Sequence, residues 1–203
     1  MEIILTLKGF IIGFVMAIPI GPMGVMCISK TLNEGRLRGI IIGLGAATAD
    51  LLYSCIAAFG LSFIANTING QRTWIRLIGG ILLLLLGIKT FKAKPKNQKI
   101  KIKTDSLLGL YFYVLLLTLT NPLTIFVFLA VFSELGLDSN LSIISATLLV
   151  YGIFLGSFLW FLVLNTGATL FRKKFNFNGL RWVNMLAGVF IVVSGIAALA
   201  SIL

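Results

Sequence analysis

Pro19-Ile20-Gly21-Pro22-Met23-Gly24 lies inside an otherwise apolar run. A proline removes a backbone donor and clashes with the carbonyl four residues earlier, so two prolines three apart, with two glycines, break a helix. In hydrocarbon the freed backbone groups are tolerated only where they face protein or a wet cavity. Asn121-Pro122 makes a second interruption, and the Asn121 amide can both donate and accept. Pro19, Gly21, Pro22, Asn121 and Pro122 are therefore candidates for contact with a solute. Asp50 is the only acidic residue near the middle of an apolar segment. Burying a carboxylate there costs about 2.5–3.5 kcal/mol on insertion scales, so it needs an interior cavity or a partner. It could hold an ammonium group or carry a proton, which makes Asp50 both a solute-binding and a proton-coupling candidate. Tyr53, three residues on, shares roughly its helix face, whereas Thr48 should point elsewhere.

The elements that position these residues follow from composition. The 203 residues are 59% hydrophobic and 11% charged, with a mean hydropathy of +1.07. Soluble domains carry about 25% charge, so lipid is the natural solvent for this chain. A span takes about 20 apolar residues. Six fit: about 5–28, 39–65, 74–91, 106–133, 141–171 and 182–203, a single transmembrane domain over 1–203. The first run is too long for a signal peptide, lacks a small-residue cleavage site and precedes further spans, so it reads as a retained helix.

The net charge is +11. Its carriers, among them Lys30, Arg36 and Arg38, six lysines between 92 and 103, and Arg172, Lys173, Lys174 and Arg181, sit in alternate loops. That pattern suits loops lying against anionic headgroups and argues against nucleic acid as a partner. The positive-inside rule puts those loops in the cytoplasm and both termini outside an inner membrane. Trp74 and Trp182 are then expected at the outer interface. Histidine is absent, and Cys27 and Cys55 lie within apolar runs without metal-ligand spacing. No cofactor, no metal and no enzyme chemistry is expected. Gly39 and Gly43 form a G-x-x-x-G pattern that permits close helix contact within or between subunits, so a homo-oligomer is compatible.

The chain also repeats itself. Trp74, Gly80 and Gly87 align with Trp182, Gly188 and Gly195, Gly43 with Gly152, and Gly21-Pro22 with Asn121-Pro122. The expected fold is all-α, with six spans as two three-helix repeats, about 1–91 and 106–203, joined by a basic cytoplasmic loop at about 92–105. Three spans is an odd number, so the second copy enters the membrane inverted, a recurring plan of secondary transporters.

Together the Pro19-Ile20-Gly21-Pro22 break, Gly35, Gly39, Gly43, Asp50, the Gly80 to Gly87 segment and Asn121-Pro122 resemble the LysE/RhtB (lysine exporter) family of amino-acid exporters. The resemblance covers nearly the whole chain. Many members read P-G-P at the first break, where Ile20 is an extra residue here, and N-P-K in the fourth span, where Leu123 replaces the lysine. A role for that lysine is not carried over. The resemblance implies export of amino acids or similar small zwitterions, driven by a proton gradient or the membrane potential. An inorganic cation transporter and a non-transporting membrane subunit are the alternatives. A single acid is a poor ligand set for a hard divalent ion.

Overall fold

A computed structural model describes residues 2–18, 22–65, 72–93, 106–121, 124, 128, 142–170 and 177–200. Among them the regular elements are all helical: α1 (Glu2–Ala17), α2 (Pro22–Glu34), α3 (Arg36–Ala65), α4 (Arg72–Lys92), α5 (Leu107–Leu119), α6 (Ile143–Leu170) and α7 (Phe177–Ala200).

The helix ends follow local chemistry. α2 opens on Pro22, whose missing N–H costs nothing at a first helical position. It runs to Glu34, beyond the expected end near residue 28, so Lys30 and Glu34 are helical and not part of a loop. Gly35 alone separates α2 from α3: its φ of 102° is a left-handed value, and its N–H bonds the Thr31 carbonyl at 3.2 Å. This is the single-bond left-handed cap that suits glycine. Ser106 and Ser142 cap α5 and α6 by accepting from the N–H groups of Gly109 and Ser145.

α3 and α6, at 30 and 28 residues, are about 45 and 42 Å long and exceed a hydrocarbon core of about 30 Å. Outward faces are apolar: on α5, Leu108, Phe112 and Leu116 are 67%, 50% and 58% exposed at four-residue intervals. Leu186, Val189 and Val193 make a similar stripe on α7. Stripes of this kind belong against lipid tails.

Packing is set by glycines. α1 and α6 run parallel in backbone contact, with Gly9 against the Leu149 carbonyl, Gly13 against that of Ile153, and Gly156 against Phe10 and Phe14. α3 and α5 also run parallel, Gly45 lying on Tyr111 and Val114. α3 and α6 are antiparallel, with Gly39 at Asn165 and Gly43 at Phe161. α4 pairs antiparallel with α7: Gly80 faces Leu199 and Gly195, and Gly87 faces Val192 and Gly188. Trp74 and Trp182 each lie near the start of their helix. In an antiparallel pair these are opposite ends, so the two positions cannot share one interface, contrary to the expectation above.

Most of the fourth span after Asn121 lies outside the described residues, as do the Lys-rich loop from residue 94 to 105 and the acidic turn of Glu134 and Asp138.

Candidate functional site

Asp50 is half-buried on α3. Its neighbours Ala46, Ala47 and Ala49 are small and buried, which lets α6 come close. From α6 the Ser157 hydroxyl, 1% exposed, donates to Asp50 Oδ2 at 2.5 Å. A hydrogen bond to an ionised group contributes about 1.5–3 kcal/mol, enough to offset part of the insertion cost of an acid. The ion pairs among the described residues, Glu34 with Lys30 and with Arg38, lie where α2 meets α3 and do not involve Asp50.

One turn further along α3, the Tyr53 hydroxyl donates to the Leu119 carbonyl and, at 3.5 Å, to that of Thr118. These are the last carbonyls of α5, which an α-helix leaves without intrahelical partners. The rest of that end is satisfied locally. Thr120 N–H and hydroxyl bond the Leu116 carbonyl, and Asn121 N–H bonds that of Thr118. Asn121 is partly buried, and its own carbonyl accepts from Thr124 N–H. The Tyr53 ring rests on Phe128 at 5.7 Å. Thr48 faces elsewhere, as expected: its hydroxyl bonds the Leu44 carbonyl and accepts from Tyr111.

The height of the first interruption can be read off α6. Gly13 of α1 meets Ile153, and Thr31 of α2 meets Asn165. The end of α1 and the start of α2 therefore both fall beside the stretch of α6 from 153 to 165, which contains Ser157. Pro19, Gly21 and Pro122 lie outside the described residues. Pro22 is described as the first residue of α2, its side chain is not, and its helix presents backbone N–H groups toward the gap. Of the sequence candidates, Asp50 is held to α6 through Ser157, near the height at which α1 ends, while Asn121 shares with Tyr53 the Thr118 carbonyl at the end of α5.

Three features escaped the sequence reading. Ser157 is one of many hydroxyls, and only the α3–α6 pairing singles it out. Asn165, 1% exposed, donates to Thr31 Oγ1 at 3.2 Å and to the Arg36 carbonyl at 2.8 Å, tying α6 to the α2–α3 turn. Its amide fits because Gly39 has no Cβ. Trp160 packs edge-on against Phe14 at 5.4 Å, and its indole nitrogen is buried with no partner among the described residues. Such a donor costs about 1–3 kcal/mol.

Chemically, the arrangement offers a carboxylate and a hydroxyl beside interrupted main chain, within an apolar bundle. That suits holding a small polar molecule or ion. The family described as LysE type translocator matches residues 14–201. The "Putative amino acid efflux protein YcgF" of Bacillus subtilis is 30% identical over 193 residues, covering 93% of this chain and 92% of the relative. "Uncharacterized membrane protein slr1627" of Synechocystis is 30% identical over 181 residues, covering 85% and 84%. "Uncharacterized membrane protein YahN" of Escherichia coli is 26% identical over 146 residues, covering 70% and 65%. No solved structure matches the chain.

Proposed function

The chain belongs to the LysE type translocator family, and from that premise we propose that it exports amino acids or similar small zwitterions across the inner membrane by alternating access. It is a membrane transporter by family. The finer reading is carried by one observation: the Asp50–Ser157 contact stands at the height where span one is interrupted. A carboxylate at that level can hold a substrate ammonium, helped by the C-terminal end of α5, while the N-terminal end of α2 favours the substrate carboxylate. Pro19, Gly21, Pro22, Asn121 and Pro122 contribute main-chain and amide contacts, and Asp50 is the proton-coupling group if a proton gradient drives export.

The helix pairing supports two inverted repeats within a single transmembrane domain. Exchange the first span with the fourth, the second with the fifth and the third with the sixth. The parallel pair α1–α6 becomes the parallel pair α5–α3, while the antiparallel pairs α3–α6 and α4–α7 map onto themselves. Under this exchange the counterpart of Gly152 is Gly45, each facing the main chain of its parallel partner, and not Gly43, which packs on Phe161. The basic residues favour termini outside the cell.

The test is efflux from cells loaded with dipeptides, reading which amino acid leaves. Export should depend on the chain and be lost in Asp50→Asn while the protein remains in the membrane. Equal retention of every amino acid with and without the chain would remove the reading.

A further inference from the structure

On α6 the positions facing α1 are Leu149, Gly152, Ile153 and Gly156. Trp160 is the next residue on that stripe, four beyond Gly156. The first three turns are filled by α1 main chain, but α1 ends at Ala17. Trp160 packs in the same cluster as Ala17 and Met23, the residues on either side of the gap. Its ring is held by Phe14. It is also three residues from Ser157, so the two lie one helical turn apart. The indole can only donate, and its N–H has no acceptor among the described residues. Other buried polar side chains nearby, Thr31, Ser54, Thr118, Ser157 and Asn165, each have a partner.

We propose that the Trp160 indole N–H is the hydrogen-bond donor that receives the carboxylate of the transported solute, with Asp50 and Ser157 one turn away receiving its ammonium. This rests on the export reading and deepens it by adding a specificity-determining residue. A zwitterion carrying both groups on one carbon spans a single turn of α6, whereas an amine without a carboxylate leaves the indole unpaired. The site thus selects amino acids over the corresponding amines through Trp160, and over carboxylic acids through Asp50.

The test uses the full chain in proteoliposomes, with L-leucine, L-threonine and L-lysine as probes and isoamylamine and cadaverine as analogues lacking the carboxylate. Trp160→Phe keeps an aromatic ring beside Phe14 and removes the donor together with the fused second ring, a packing change that amine and amino acid would feel alike. We expect the half-saturation concentration for a transported amino acid to rise about tenfold, or about 1.4 kcal/mol, with the maximal rate and any flux of the matching amine unchanged. A purely structural indole would alter amine and amino acid alike, and that result overturns the proposal. So does an unchanged half-saturation in Trp160→Phe when Asp50→Asn abolishes flux, which leaves export standing. No flux of any amino acid in the wild-type protein overturns both. A second measurement covers misfolding of the variant. With Trp74 and Trp182 replaced by phenylalanine, Trp160 is the sole tryptophan and can be excited selectively over the four tyrosines. Its emission should shift to the red on addition of the transported amino acid and not of the amine; equal shifts, or none, overturn the proposal.

Discussion

Gly152→Ala is expected to loosen α1 from the bundle. A Cβ built at this position falls onto the Thr6 carbonyl oxygen and comes within 2.9 Å of Phe10 N and 3.1 Å of Gly9 Cα. All three are main chain, so no rotamer change makes room and the helices must separate. An outward step of about 0.5–1 Å forfeits a quarter to a half of each dispersion contact along the seam. In lipid that loss is serious, because apolar helices gain little from leaving the tails and hold together by close packing. The reciprocal glycines Gly9 and Gly13 widen the effect, since the same separation opens their contacts with Leu149 and Ile153. Overpacking by a methyl group costs about 1–3 kcal/mol. The higher helix propensity of alanine returns at most about 1 kcal/mol. Gly167→Ala is the internal control: it lies on the same helix, and nothing stands within 4 Å of its added Cβ. Thermal unfolding in detergent should show Gly152→Ala melting several degrees below the wild type and Gly167→Ala at or slightly above it. Equal midpoints for the two variants would refute the seam.

Ser157→Ala removes the donor to Asp50 and should weaken solute affinity about tenfold, at the lower end of a charged hydrogen bond, read as half-saturation in the efflux assay. Tyr53→Phe leaves the Leu119 carbonyl without its hydroxyl partner; a loss of about 1–3 kcal/mol in unfolding free energy is expected, and no change would mean the carbonyl finds another donor. Asn165→Ala cuts the tie between α6 and the α2–α3 turn. Cys27, whose thiol is buried against the Gly39 carbonyl, should then react faster with a membrane-permeant maleimide in a Cys55→Ser background.

The chemistry of single residues was legible in the sequence. One helix ends at Ala17 and another begins at Pro22, and Asp50 does sit inside a long one; its partner lies on α6, whereas Tyr53, one turn on, bonds the end of α5. What the sequence could not carry was pairing between distant helices. The seam is spelled in the chain as Gly9-x-x-x-Gly13 and Gly152-x-x-x-Gly156, yet twenty-one glycines offer many such matches, and nothing local says which two meet. The Gly39 and Gly43 pattern is real packing, but its partners are Asn165 and Phe161, over a hundred residues away. Ser157 was invisible for the same reason. The extension of α2 to Glu34 was missed because charge reads as loop, although Lys30 is only 7% exposed and paired with Glu34.

The placement of the polar groups argues for a working centre. In hydrocarbon each unsatisfied backbone group costs several kcal/mol, so a chain that interrupts its helices has to gather donors and acceptors where the interruptions fall. Asp50, Ser157 and Tyr53 do gather there, beside the end of α1 and the last carbonyls of α5. A fold that needed only stability would do better without the breaks and without the acid, since replacing buried ionic groups by apolar ones of similar volume is often neutral or stabilising. It would also have no reason to leave a buried donor unpaired, as Trp160 is among the described residues. Structure alone therefore explains the pairing of Tyr53 with α5, but not the acid at the level of the first break or the idle indole one turn away. Both follow if the acid and the indole serve the molecule being carried.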